Sequence, residues 1–129
     1  MLCPAKRKEC VLSVGNFILH TDDIHKQIRI ELIGTFSEEE GLLSMQSYQQ
    51  VINPLDPAEY ELQIDCTKLN VTAPDVVHLL ESCFLMFKND GFTRIVLTLE
   101  HNPILKMQLS RLGRKAGLEN LTIQSTVQA

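Results

Sequence analysis

The segment DCTKLNVTAPDVVH, residues 65–78, gathers a carboxylate (Asp65), a thiol (Cys66), two hydroxyls (Thr67 and Thr72), a second carboxylate (Asp75) and an imidazole (His78). A thiol with a histidine is the starting material of nucleophilic catalysis, but the nucleophile needs an oriented base and an environment that lowers its pKa. His78 lies beyond a loop from Cys66, so the spacing does not pair them, and nothing adjacent would stabilise a thiolate. Thr72-Ala73-Pro74-Asp75 has a structural explanation that accounts for all four residues. A threonine hydroxyl at an N-cap accepts a backbone N–H, an acid three residues on reciprocates, and proline is tolerated in a first turn. A phosphate on Thr72 would gain from the helix dipole and be repelled by Asp75.

The other polar clusters read as local structure. His20, Asp22, Asp23 and His25 could be grouped as metal ligands, yet they sit where a strand breaks and suit a polar turn. Ser37 with Glu40 forms a capping box, and Glu38, Glu39 and Glu40 together oppose the positive end of a helix dipole. Cys3, Cys10, Cys66 and Cys83 follow no zinc-binding spacing. Neither a phosphate-binding glycine loop nor a nucleophile elbow occurs. With no nucleophile, base and oxyanion donor in one set, the expectation is a chain that is not an enzyme and carries no metal or cofactor.

These groups must be positioned by a chain of 129 residues with 44% hydrophobic and 22% charged residues, the composition of one globular domain. Tryptophan is absent, so the core must rest on Leu, Ile, Val and a few Phe. A net charge of −4 argues against a nucleic-acid binder. Two basic clusters, Lys6-Arg7-Lys8 and Lys106/Arg111/Arg114/Lys115, read as solvated charge. The opening MLCPAKRKEC lacks the apolar stretch of a leader, and no run approaches the roughly 18 apolar residues that would insert in a bilayer. A reduced cytoplasmic setting is expected.

Periodicity supplies the elements. Residues 1–10 read as a flexible lead-in and 11–129 as a single domain. Val11–His20 is strand-like, with Gly15-Asn16 as a turn or bulge, and Lys26–Phe36 alternates as a half-buried strand. A helix runs from the Ser37 cap to about Ile52, with Leu42, Met45, Tyr48 and Ile52 on its apolar face. Tyr60–Asp65 alternates as a strand, and a short loop over Lys68–Val71 leads into a helix that ends near Asn89. Val76, Leu79, Leu80, Cys83, Phe84 and Phe87 form its stripe, leaving His78, Glu81, Ser82 and Lys88 outward. Thr93–Glu100 has a continuous apolar centre, the mark of a strand buried on both faces. Asn102-Pro103 starts a third helix with Leu105, Leu109, Leu112 and Ala116 inward, Gly117 stops it, and Leu121–Val127 is a closing strand. The order β-β-α-β-α-β-α-β predicts an α/β fold with a mixed, mainly parallel sheet of four to five strands, its helices largely on one face.

From Gln27 to about Val127 the chain resembles a STAS domain, the fold of anti-sigma factor antagonists and of sulfate-transporter tails. The resemblance rests on the strand ending in Asp65-Cys66-Thr67, on the short loop Lys68–Val71 into an exposed helix start, and on the closing strand, helix and Gly117-Leu118. It looks like a divergent bacterial or prophage branch. The family's switch is Asp-Ser-Ser-Gly at the start of the second connecting helix, and it would fall on Thr72-Ala73-Pro74-Asp75. The usual phosphorylated serine is then Pro74, which has no hydroxyl, and Thr72 stands at the family's aspartate. The resemblance therefore implies a regulatory protein-interaction module without the phospho-switch. Its partner would be a protein, with a homodimer also open, met through Asp65, Thr67, Asn70, Thr72, Asp75, His78 and Glu81. Two other roles remain open: a carrier of a small apolar ligand held between helices and sheet, and a structural component of a prophage or larger assembly.

Overall fold

The computed structural model describes residues 9–14 and 16–126. The expected lead-in falls mostly outside them, with Cys3 and the Lys6-Arg7-Lys8 cluster, as do Gly15 and the end of the expected last strand at Val127. Glu9 and Cys10, expected in the lead-in, instead begin strand β1 (Glu9–Val14).

The run read as strand-like over Val11–His20, with Gly15-Asn16 as a turn or bulge, is a hairpin. β1 pairs antiparallel with β2 (Phe17–Asp22), Val14 lies opposite Phe17, and Asn16 is in the turn. Two-residue loops are the commonest hairpin connections. Asn16 also anchors the hairpin: its carbonyl accepts from Ile33 N–H at 3.0 Å, and its amide donates to the Thr35 carbonyl at 3.1 Å.

β3 (Gln27–Gly34) pairs antiparallel with β2 and parallel with β4 (Glu61–Leu69). β5 (Arg94–Leu99) and β6 (Leu121–Ser125) extend the parallel part. The sheet has six strands in sequence order, one more than expected at most, because of the hairpin. Helices α1 (Glu38–Ile52), α2 (Val77–Asp90) and α3 (Pro103–Ala116) connect the parallel strands. Each strand joins beside its predecessor in one direction, so crossovers of a single hand put all three helices on one face.

Core and open face follow from alternation along the strands. Ile28, Ile30, Leu62, Ile64, Cys66, Ile95, Leu97 and Leu99 point to the helices and are buried. Arg29, Glu31, Gln63 and Asp65 alternate with them toward the opposite face. Val96 also lies on that face and is only 5% exposed, as its place in the continuous run predicts.

Helix ends obey their local signals where side chains can reach. Ser37 and Glu40 make the reciprocal capping box, Asn102 accepts from Leu105 N–H, and α2 and α3 end on left-handed Gly91 and Gly117. Leu42, expected on the buried stripe of α1, is instead 46% exposed. The helix turns Gly41, Ser44 and Tyr48 inward; a Cβ on Gly41 would lie 2.9 Å from Leu79 Cδ1, so glycine allows the two helices to approach. Buried Ser44 and Ser47 satisfy their hydroxyls on the carbonyls of Glu40 and Leu43, both at 2.9 Å.

Candidate functional site

The segment singled out in the sequence folds differently from its expected strand, loop and capped helix. β4 does not stop at Asp65 but runs on to Leu69. It does so through a bulge: Glu31 pairs with Asp65 and Ile33 with Lys68, so β4 carries one extra residue there. Asp65 Oδ1 accepts from the Thr67 N–H at 2.9 Å and from the Thr67 hydroxyl at 2.7 Å, which holds the bulge closed. Asp65 and Thr67 are thereby committed to backbone geometry, and Asp65 lies on the face of the sheet away from the helices.

Thr72 does not cap α2. One 3-10 turn, Pro74–Val76, precedes the helix; its N-cap position is Ala73, and neither it nor the start of α2 has a side-chain cap. The Thr72 backbone is occupied by α3 instead: its N–H donates to Gln108 Oε1 and its carbonyl accepts from Gln108 Nε2, both at 3.0 Å. A side-chain amide offers one donor and one acceptor side by side, the pattern a peptide needs. The expected Thr72–Asp75 reciprocal cap is therefore replaced by a tertiary contact.

Asn70 ties the same loop to the β3–α1 loop. Its N–H donates to the Gly34 carbonyl at 3.0 Å, and its side-chain amide donates to Thr35 Oγ1 at 2.8 Å. Two residues on the outer side of α2 are engaged by flanking helices: His78 Nε2 lies 3.4 Å from Glu38 Oε2, and Glu81 Oε2 lies 2.8 Å from Lys115 Nζ. Asp75 is exposed. Of the seven residues expected to share a surface, Asn70, Thr72 and Asp75 gather around the β4–α2 loop. His78 and Glu81 reach toward different helices, and Asp65 belongs to the other side of the sheet.

Behind this loop lies a cavity of about 100 Å³ between sheet and helices. Ile30, Ile64, Cys66 and Leu97 line it from the strands; Met45, Tyr48, Leu79, Cys83, Phe84, Phe87 and Leu109 line it from the helices. Its exposed lining residues, Thr35, Ser37, Asn70 and Val71, all belong to the β3–α1 and β4–α2 loops, so the mouth lies between those loops.

The two thiols facing the cavity lie in surroundings that disfavour the thiolate. Burial pushes Cys66 up to about 12, with the Asp65 charge adding to the effect, and burial alone pushes Cys83 up to about 12. Burial and the hydrogen bond to Asp90 also raise the Tyr48 phenol. Of the His20/Asp22/Asp23/His25 cluster, His20 and Asp22 lie in β2 and Asp23 and His25 in the turn after it: Asp22 Oδ1 accepts from the Ile24 and His25 N–H groups, and Asp22 Oδ2 lies 2.7 Å from His25 Nδ1. The His25 hydrogen bond holds the Asp22 carboxyl below its ordinary value. Asp23 accepts from the Tyr60 hydroxyl at 2.7 Å. Among the described residues no group of three or more His, Cys, Asp or Glu could hold a metal ion. No helix there is long and apolar enough to cross a membrane.

Two features went unmarked in the sequence. Gln108 gives no local sign of its contact with Thr72, which lies 36 residues away. Ile104 and Met107 did leave a signal: they are apolar but off the Leu105/Leu109/Leu112 stripe, and both are exposed. Comparison with protein-family models and with curated proteins returned no match.

Proposed function

We propose that this chain is a non-enzymatic protein-interaction module of STAS-like architecture, resembling an anti-sigma factor antagonist but without the phosphorylatable serine. The observation that carries this reading is an apolar group beside the β4–α2 loop: Val71, Ile104 and Met107 are 42%, 67% and 61% exposed. The Thr72–Gln108 pair brings Val71 next to the first turns of α3, where Ile104 lies one turn from Gln108 on the same helix face. Exposed apolar groups concentrated at one place mark interaction surfaces more often than single exposed residues do. Pro74 and Asp75 extend the same rim with rigid and charged surface.

The partner is a protein, met in the cytoplasm; a second copy of this chain would fit the same surface. The acidic balance speaks against nucleic acid. The surface is the Asn70–Asp75 loop with the start of α3, rather than the outer side of α2, because His78 and Glu81 already bridge to α1 and α3.

The test compares proteins captured quantitatively by the wild type, by Ile104→Glu/Met107→Glu and by His78→Glu/Glu81→Lys. Loss of a specific partner in the first double variant, with retention in the second, supports the assignment. An unchanged set of partners in the Ile104/Met107 variant removes the surface from the reading.

A further inference from the structure

We infer that the cavity between sheet and helices is a binding site for a small neutral, carbon-rich molecule, a single aromatic ring or a short alkyl chain, entering between the β3–α1 and β4–α2 loops. Size is the first ground. Close-packed interiors hold few voids larger than a water molecule, and this one reaches about 100 Å³. An apolar cavity of about 150 Å³ admits benzene, so an occupant of this smaller one has no more than about six non-hydrogen atoms.

The second ground is that most polar side chains around the cavity are already paired within the protein. The Ser44 hydroxyl donates to the Glu40 carbonyl, and the Tyr48 hydroxyl donates to Asp90. Ser37 Oγ accepts from Glu40 N–H, and Asn70 donates to Thr35 Oγ1. Water needs two to four polar partners to remain in a buried site, and the side chains lining this one leave it few beyond the Thr72 hydroxyl and the weakly polar thiols of Cys66 and Cys83. A charged group would be worse placed, since no cation or carboxylate lines the cavity. The site thus selects against water and ions and favours carbon.

The third ground is access. The exposed lining residues fall only on two facing loops, and the Asn70–Thr35 hydrogen bond joins those loops at the mouth. One side-chain hydrogen bond can open and re-form without disturbing the parallel ladder beneath it.

The experiment titrates the intact protein with benzene and with 1-butanol, followed by methyl NMR, and repeats this with butanoate. Saturable shifts at the Ile30, Ile64 and Leu97 methyls with both neutral probes, a rise in Tm, and at least ten-fold weaker binding of butanoate are expected. Cys83→Leu and Cys66→Ile each fill the cavity, one from α2 and one from β4. Each should weaken benzene binding at least ten-fold while keeping the dispersed spectrum of a folded protein, and two variants guard against one failing to fold. Absence of saturable shifts with both neutral probes, shifts confined to the exposed Ile104/Met107 region, equal binding of butanoate, or undiminished binding in folded filled variants would each overturn the inference.

Discussion

The side-chain amide of Gln108 is hydrogen-bonded to both backbone polar groups of Thr72, donor to acceptor and acceptor to donor, at 3.0 Å each. Through this pair α3 sets the course of the loop that leads into α2, a task local capping would otherwise perform. The loop therefore depends on a residue in another element, and substitutions at the two positions should behave very differently.

Thr72→Ala should be nearly neutral in urea unfolding, because its side chain caps nothing and its backbone is unaltered. Gln108→Ala should destabilise by about 2 kcal/mol, two hydrogen bonds at roughly 1 kcal/mol each. Gln108→Glu should lie closer to the alanine variant than to wild type at neutral pH, since a carboxylate cannot donate to the Thr72 carbonyl. Should Thr72→Ala cost as much as Gln108→Ala, the hydroxyl has a role that the contact with α3 does not explain.

Tyr48 links α1 to the end of α2 through its hydroxyl on Asp90, and its ring packs edge-on against Phe87 at 5.4 Å between centroids. Tyr48→Phe retains the ring contact and removes the hydroxyl. The expected loss is about 1.5 kcal/mol, the lower end for a hydrogen bond to a charged group. Asp90→Asn should lose less, and the double variant should fall short of the sum; additive losses would mean the two groups do not act together.

Gly91 ends α2 at φ +76, and a Cβ there would meet no atom within 4 Å. Gly91→Ala is thus a test of backbone conformation alone, with an expected cost of about 1 kcal/mol. A thermal melt indistinguishable from wild type would show that the helix end tolerates another conformation.

Stability should decline in alkaline solution. The Cys66 and Cys83 thiols titrate from 9.0 in the unfolded reference to about 12 in the folded protein. Between those values the unfolded chain binds fewer protons than the native one, so rising pH favours unfolding. Each thiol can contribute a slope of up to about 1.4 kcal/mol per pH unit. The contribution is fully present below pH 9.0 and is lost on approach to about 12. Urea melts from neutral to alkaline pH should show a shallower decline for Cys66→Ala/Cys83→Ala, although that variant starts less stable because of the space it creates. Parallel declines would assign the alkaline loss to other groups.

Sequence by itself determined most of the architecture. Period-two alternation placed β3 and the first part of β4, the unbroken Ile95-Val96-Leu97 run located the strand buried on both faces, and the Ser37/Glu40, Asn102 and Gly117 signals set helix ends. These are short-range effects, decided by one residue's neighbours along the chain. Tertiary structure decided the rest. In Val11–His20 the residues Gly15-Asn16 left a turn and a bulge both open, and the pairing of β1 with β2 decided for the hairpin. Leu42 faces outward because Gly41 and Ser44 let α1 approach α2 closely, and small residues carry no hydrophobic signal for this. The candidate loop kept its place but changed its support, from a threonine cap to the amide of Gln108, since a capless helix start can borrow partners from any element packed beside it. The cavity was beyond the reach of periodicity altogether: apolar patterning states which side chains point inward, whereas only their packing in three dimensions determines whether the space between them is filled.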